Sequence, residues 1–269
     1  MNNFFTNKVV VITGGSDGIG KALIELLLPM GAKIATCSRT QDKLYDLQLK
    51  HSKEPILCMV ADVSNYNDCK MFIESTINQF GGIDILINNA GISMRGLLID
   101  SEMEVFKKVM DINYFGAVYC TKLALPSIIE RKGEIVGVSS IAGYRGLPGR
   151  SGYSASKFAL NGWLEAIRTE LLEMDVNVMW VCPGFTSSNI RNAALNEKAT
   201  AQGESPLNEN ELMSAEACAT EIIKAIAKRK RTLVLTLRGK QTVFLNKFFP
   251  SWADKLTRKY FFKNGKLIK

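Results

Sequence analysis

Several things are missing from this sequence, and each absence narrows its class. The six cysteines, Cys37, Cys58, Cys69, Cys120, Cys182 and Cys218, are scattered without a CxxC pair, which argues against a zinc site and a disulfide framework. No metal is expected. No apolar run reaches the roughly 18 residues that suggest a membrane-spanning helix. The segment Met1 to Lys8 lacks a basic stretch leading into an apolar one, and Val9-Val10-Val11-Ile12 is too short for the core of a signal peptide. A reduced, cytoplasmic setting is therefore expected, with peripheral contact at a membrane surface as the most a membrane could offer. There is no fixed-period repeat, low-complexity tract or visible linker, which disfavours solenoids and propellers. With only 7 prolines spread along 269 residues and 46% hydrophobic residues, the chain suits one large α/β core.

Acidic residues are scarce at one end only. Residues 222–269 hold fourteen Lys/Arg against Asp254 alone, a net +13, so the chain's overall +8 leaves −5 on the rest. The body is mildly acidic and the tail basic, which makes a nucleic-acid partner an unlikely reading of the net charge.

What is present is a repeated alternation. Lys8–Thr13 is a β-branched apolar run ending in Gly14-Gly15, Ile19–Leu28 repeats its apolar positions at helical spacing, and Lys33–Cys37 is apolar again. Further strand candidates are Ile56–Val60, Ile83–Ile87, Gly133–Val138 and Asn177–Val181, with Thr232–Leu237 as a seventh. Uninterrupted apolar strands separated by helices imply a parallel sheet covered on both faces, a doubly wound Rossmann-type α/β fold of about seven strands. Its ligands lie beyond the carboxyl ends of the strands, and each motif below follows directly on a strand candidate.

Thr13-Gly14-Gly15-Ser16-Asp17-Gly18-Ile19-Gly20 leaves the first strand and opens the first helix, aiming backbone N–H groups and the positive helix end at a pyrophosphate. Gly15 to Lys21 also fits G-x-x-x-x-G-K, but Ala22 stands where a nucleoside-triphosphate loop needs Ser or Thr for magnesium. At the second strand's tip, Ser38 and Arg39 offer a hydroxyl and a guanidinium to a 2′-phosphate where an acid would bind the ribose of NAD, so NADP(H) is preferred over NAD(H). Asp17 weighs against that reading. Asp62-Val63 either presents a carboxylate to an adenine amino group or caps a helix. Asn88-Asn89-Ala90-Gly91 either admits a cofactor against the main chain or forms a turn. Tyr153 and Lys157 stand four residues apart at the start of a helical segment, on one face. A phenol with a pKa near about 10 needs a neighbouring positive charge to exchange a proton at neutral pH.

TGxxxGxG, NNAG, Asn113, Ser140 thirteen residues before Tyr153, YxxxK and Pro183-Gly184 occur in that order, and with them the chain strongly resembles the short-chain dehydrogenase/reductase family over about residues 8–240. The resemblance implies a catalytic tetrad of Asn113, Ser140, Tyr153 and Lys157. Tyr153 would protonate a carbonyl oxygen as hydride arrives, Ser140 would orient that oxygen, Lys157 would hold the nicotinamide ribose and lower the phenol pKa, and Asn113 would support a relay water. Cofactor contacts follow at Gly14, Ser16, Asp17, Gly18, Ile19, Gly20, Ser38, Arg39, Asp62, Val63, Asn89, Ala90, Gly91, Tyr153, Lys157, Pro183, Gly184 and, at the carboxamide, Thr186. Within the family, Asn89 to Gly96, Asn113-Tyr114-Phe115-Gly116 and Thr200 to Pro206 look most like the dehydrogenase/reductase member 7 group, relatives of the 11β-hydroxysteroid dehydrogenases. The expected activity interconverts a carbonyl and an alcohol on a small, lipophilic molecule, and a homodimer or homotetramer is expected by analogy. A non-catalytic dinucleotide sensor and a sugar epimerase or dehydratase are the competing classes.

Substrate contacts are expected from Met94–Leu97, Tyr144–Arg150 and a lid over Ser187–Leu212. Residues 1–240 form the expected catalytic domain and 241–269 an amphipathic extension. There Phe244, Phe248, Phe249, Trp252, Tyr260 and their neighbours interleave with Lys247, Lys255, Arg258, Lys259 and Lys263. This extension has three readings: packing on the body or a partner subunit, contact with anionic lipid, or stacking on nucleic acid.

Overall fold

Seven parallel strands follow from the apolar runs: β1 (Val9–Thr13), β2 (Lys33–Ser38), β3 (Ile56–Val60), β4 (Ile85–Asn88), β5 (Glu134–Val138), β6 (Asn177–Cys182) and β7 (Thr232–Val234). They stand in the order β3-β2-β1-β4-β5-β6-β7. In this computed structural model the described residues are 3–187, 189–204 and 212–268. The register runs through Val10↔Ile34 and Val10↔Ile85 to Ile87↔Val136 and Val136↔Met179, so both ladders of β1 are used and its residues are buried on both faces. Alternate side chains serve opposite layers. Val10 and Ile12 pack with α1 (Gly18–Leu27) and α7 (Ala215–Ile226), whereas Val11 joins the layer of α3 (Tyr66–Phe80), α5 (Gly116–Glu130) and α6 (Ser151–Glu170). Each such apolar side chain contributes about 1.5–3 kcal/mol on burial.

Caps fix where the helices begin. Asp17 accepts the Gly18 N–H at the start of α1, and Asn65 accepts from Asn67 and Asp68 at the start of α3. Gly81, at φ 79°, closes α3 in the left-handed region that glycine alone enters without cost. The remaining two layer helices are α2 (Gln41–Lys50) and α4 (Met103–Met110), and α4 runs through a π-helical segment, Asp111–Phe115, into α5.

Strand ends differ from expectation by one to three residues. β4 starts at Ile85 because Asp84 is turned to other duties: its carboxylate accepts from Lys8, from the Val9 N–H and from Arg131. β7 is short, and Leu237 already begins α8 (Leu237–Phe248), so the boundary expected after residue 240 falls inside a helix. Next come α9 (Pro250–Phe261) and a small antiparallel hairpin, β8 (Phe262–Lys263) with β9 (Lys266–Leu267). α8 and α9 pack on each other and on the segment after β5. Among the described residues no helix is long and apolar enough to cross a membrane, and no group of side chains could hold a metal ion.

Candidate active site

The chain order reverses between β1 and β4, and beyond the carboxyl ends of the central strands lies a cleft of about 870 Å³. Every expected cofactor contact lines it except Gly20. That glycine works from behind: a Cβ on it would lie 2.4 Å from the Gly14 carbonyl oxygen and 2.6 Å from Asn89 Nδ2.

The cofactor end is stitched together by main-chain contacts. Gly14, at φ 70°, donates its N–H to Cys37, and a Cβ there would strike Ala90 Cα at 2.9 Å. Thr13 Oγ1 accepts the N–H groups of both Asn89 and Ala90, while Asn89 Nδ2 donates to the carbonyls of Thr13 and Gly14. The NNAG turn is thus the clamp that holds the glycine-rich turn in shape. Asp62 lines the cleft, its Oδ1 accepting from the Ser64 N–H and hydroxyl, and Asn65 rather than Asp62 caps the helix that follows. At the tip of β2, Ser38, Arg39 and Thr40 are joined in the wall by Lys43 from α2. Sequence reasoning missed Lys43. Its ammonium pairs with Asp17 at 2.7 Å, and Asp17 stays below the usual carboxylate range because that pair and the Gly18 N–H outweigh its burial.

At the other end Tyr153 and Lys157 leave the first turns of α6, facing Ser140 at the tip of β5. Burial raises the Tyr153 phenol above its ordinary value; a hydrogen bond with Ser140 and the charges of Arg150 and Arg191 oppose it. Lys157 is held from the β5 side. Its Nζ donates to the Val138 carbonyl at 2.9 Å and stands 5.8 Å from the Tyr153 ring centroid, while the charges of Arg150 and Arg191 act on the phenol beside it. Burial pushes Lys157 itself down to about 8. Ser140 Oγ also accepts the Ala142 N–H at 3.1 Å.

Asn113 does not reach the cleft. It is buried in the π-helical segment, where Oδ1 accepts the Ile92 N–H at 2.8 Å and Nδ2 donates to Ile92 O and to Ser156 Oγ, both at 2.9 Å. Its side chain ties the loop after β4 to α6. The extra backbone residue of a π turn is what swings it onto that loop.

The substrate side differs most from expectation. Ser93 lines the cleft, but Met94–Leu97 do not: Met94 is buried beneath it, and the Arg95 and Gly96 N–H groups bond to Leu195 and Gly149. Of the Tyr144–Arg150 segment, Arg145, Leu147 and Arg150 face in. From the expected lid, Asn189, Ile190, Arg191 and Ala193 do so, while Ser188 and residues 205–211 lie outside the described residues. The far wall comes from the tail. Leu245, Leu256, Thr257, Tyr260 and Phe261 line the cleft, anchored through Arg145, which bonds Asn246 at 2.9 Å and Asp254 at 2.6 Å, and through Asn246 Nδ2 on the Tyr144 carbonyl. Of the tail's three readings, packing on the body is the one realised here. The i,i+4 pairs Leu256/Tyr260 and Thr257/Phe261 are the signal that could have found this face.

With this geometry in view, the chain can be set beside known proteins. The sequence profile described as short chain dehydrogenase matches residues 8–199. Dehydrogenase/reductase SDR family member 7B of Rattus norvegicus is 36% identical over 242 residues, 87% of this chain and 74% of that protein; the Mus musculus protein of the same name is 34% identical over 241 residues with the same coverage. A dehydrogenase/reductase SDR family protein 7-like of Dictyostelium discoideum is 32% identical over 268 residues, 95% of this chain and 82% of its own. In fold, the crystal structure of a short chain dehydrogenase/reductase from Burkholderia phymatum in complex with NAD superposes with a TM-score of 0.83 at 24% identity, over 92% of this chain and 95% of that one.

Proposed function

The chain belongs to the short-chain dehydrogenase/reductase family, a family of nicotinamide-dinucleotide oxidoreductases, and from that membership we propose that it interconverts a ketone or aldehyde and its alcohol with NADP(H). One observation carries the reading: a single cleft joins a glycine-rich helix start and a cationic tip to a buried phenol beside a serine and a lysine. The residues suit the cofactor. Gly14, Ser16, Gly18 and Ile19 would hold the pyrophosphate, Asp62 and Val63 the adenine, and Asn89, Ala90, Gly91, Pro183, Gly184 and Thr186 the nicotinamide half. Ser38, Arg39 and Lys43 favour a 2′-phosphate, and the ion pair with Lys43 offsets the charge of Asp17 that speaks against it.

When bound, the dinucleotide supplies or accepts the hydride at the substrate carbon. Tyr153 donates its proton to the carbonyl oxygen, a task for which a neutral phenol is the right form. Ser140 donates to the same oxygen and orients it. Lys157, held by Val138, presents its remaining donors to the ribose, and Asn113 positions the loop that carries Ile92. The substrate is lipophilic, since Leu147, Ile190, Leu245, Leu256 and Phe261 supply much of the wall.

The exposed rings of Phe115 and Phe158 favour a homo-oligomer, a homodimer or homotetramer. Phe244 and Trp252, 55% and 66% exposed among lysines and arginines, favour peripheral contact of the tail with anionic lipid by a cytoplasmic protein. The deciding experiment follows NADPH and NADH consumption with ketosteroids, long-chain ketones, sugars and small aldehydes, and repeats it with Tyr153→Phe. NADPH should be oxidised by at least one carbonyl class, and the variant should lose about 10²–10⁴-fold in rate. An unaffected variant would sink the assignment.

A further inference from the structure

The substrate end of the cleft holds a cation without a counter-ion. Arg150, the residue before α6 and one helical turn from Tyr153, is only 7% exposed. Other arginines nearby have partners: Arg95 pairs with Glu204 at 3.3 Å, Arg145 with Asp254 at 2.6 Å, and Arg191 donates to the Thr186 carbonyl at 2.8 Å. Among the described residues the Arg150 guanidinium has no carboxylate partner and no side-chain hydrogen bond; it lies 5.9 Å from the centroid of the Phe261 ring and close enough to Tyr153 for its charge to act on the phenol. Arg150 also lines the cleft. Removing a guanidinium from water without a partner is costly, and a fold tolerates it where a ligand completes the pair.

The dinucleotide's phosphates are poorly placed to be that ligand. They belong with the glycine-rich turn after β1 and the cationic tip of β2, whereas Arg150 lies beyond β5 under α9. From β1 to β5 is two strand spacings, about 10 Å at the usual separation, and from β2 three, about 14 Å.

We infer that the substrate is an amphiphilic monocarboxylate, an oxo acid or the matching hydroxy acid, whose carboxylate seats on Arg150 while its hydrocarbon body lies along Leu147, Ile190, Leu256 and Phe261. A carboxylate is assigned because one unmatched guanidinium calls for one negative charge, and its two oxygens match the guanidinium fork. The same geometry limits the separation of the two functional groups: with Arg150 one turn from Tyr153, the reducible carbonyl lies a few bonds from the carboxylate. This inference rests on the oxidoreductase reading for the carbonyl and stands apart from it for the carboxylate.

The test is therefore binding as well as turnover. Decanoate and decanol are titrated calorimetrically into the protein with NADPH, using wild type, Arg150→Gln, Arg150→Lys and Tyr153→Phe. Decanoate should bind wild type at least about tenfold more tightly than decanol, lose that advantage in Arg150→Gln and keep part of it in Arg150→Lys. Tyr153→Phe should bind decanoate as wild type does, so a failed oxidoreductase reading would leave this result intact. In turnover, short oxo acids should exceed their methyl esters in kcat/KM through KM. Equal binding of decanoate and decanol to the wild-type protein, or an undiminished preference in Arg150→Gln, overturns the inference.

Discussion

Lys43 Nζ lies 2.7 Å from Asp17 Oδ2, across the 26 residues that separate the start of α1 from α2. The pair closes one end of the cleft and turns an acid that would repel a 2′-phosphate into half of a neutral couple. Arg39, which has no carboxylate partner among the described residues, then adds its charge at that end.

Cofactor choice should follow from these three side chains. Arg39→Ala should lower kcat/KM for NADPH about 10–100-fold, the worth of a charge-assisted hydrogen bond, while leaving NADH nearly unchanged. Lys43→Ala should act in the same direction and weaken NADPH further by unmasking Asp17. Steady-state rates with both cofactors check this, and a wild-type protein that prefers NADH would refute it.

The buried Lys157 sets a pH limit. Its ammonium is present below about 8 and is lost as pH rises through that value, because burial disfavours the charged form. The kcat/KM for NADPH, which reports the free enzyme, should fall above about pH 8, and in Lys157→Arg this descending limb should move upward by more than about two units. A profile flat to pH 10 in the wild-type enzyme would show that the ammonium is not needed.

Glu134 opens β5 almost fully buried, with Oε2 accepting from Asn177 at 2.9 Å and Oε1 without a partner among the described residues. Burial raises its carboxyl from 4.5 to about 7, against the opposing effects of Asn177, Arg229 and Lys8. The folded state therefore binds more protons than the unfolded one between these values, and stability is lost as pH rises from 4.5 through 7. Glu134→Gln should stabilise the protein by about 1–3 kcal/mol at pH 8 and by nothing near pH 4, measured by urea unfolding at both. The same gain at both pH values would rule out titration as the cause.

Asn113→Ala should orphan the Ile92 N–H and carbonyl and cost about 2–4 kcal/mol, seen as a lower Tm. Activity should fall through displacement of the loop after β4. An apparent loss of activity with Tm unchanged would instead return Asn113 to a direct part in proton transfer.

Much of the site was legible because its motifs are local. A glycine-rich turn is readable where a β-branched run stops and a helical period starts, and Tyr153 and Lys157 share a helix face by spacing alone. Lys43 was not legible, since α2 meets the start of α1 only once β2 has paired with β1. The placement of Met94 was misread, and the bonds of Asn113 to Ile92 and Ser156 were not legible, for a related reason: which way a residue points from a π turn or a bridge to Leu195 depends on its packing partners.

By itself the amino-acid order determined the seven-stranded, doubly wound sheet and the sequence of motifs along the carboxyl edge. These depend on periodicity and on turn residues, which act over a few positions. The tertiary structure alone decided that the basic tail would wall the cleft through Arg145, and that Arg150 and Arg191 would stand where their charges oppose the burial of the Tyr153 phenol. Such pairings join residues up to 109 positions apart, and their energies depend on distance and burial, quantities that exist only after the chain has folded.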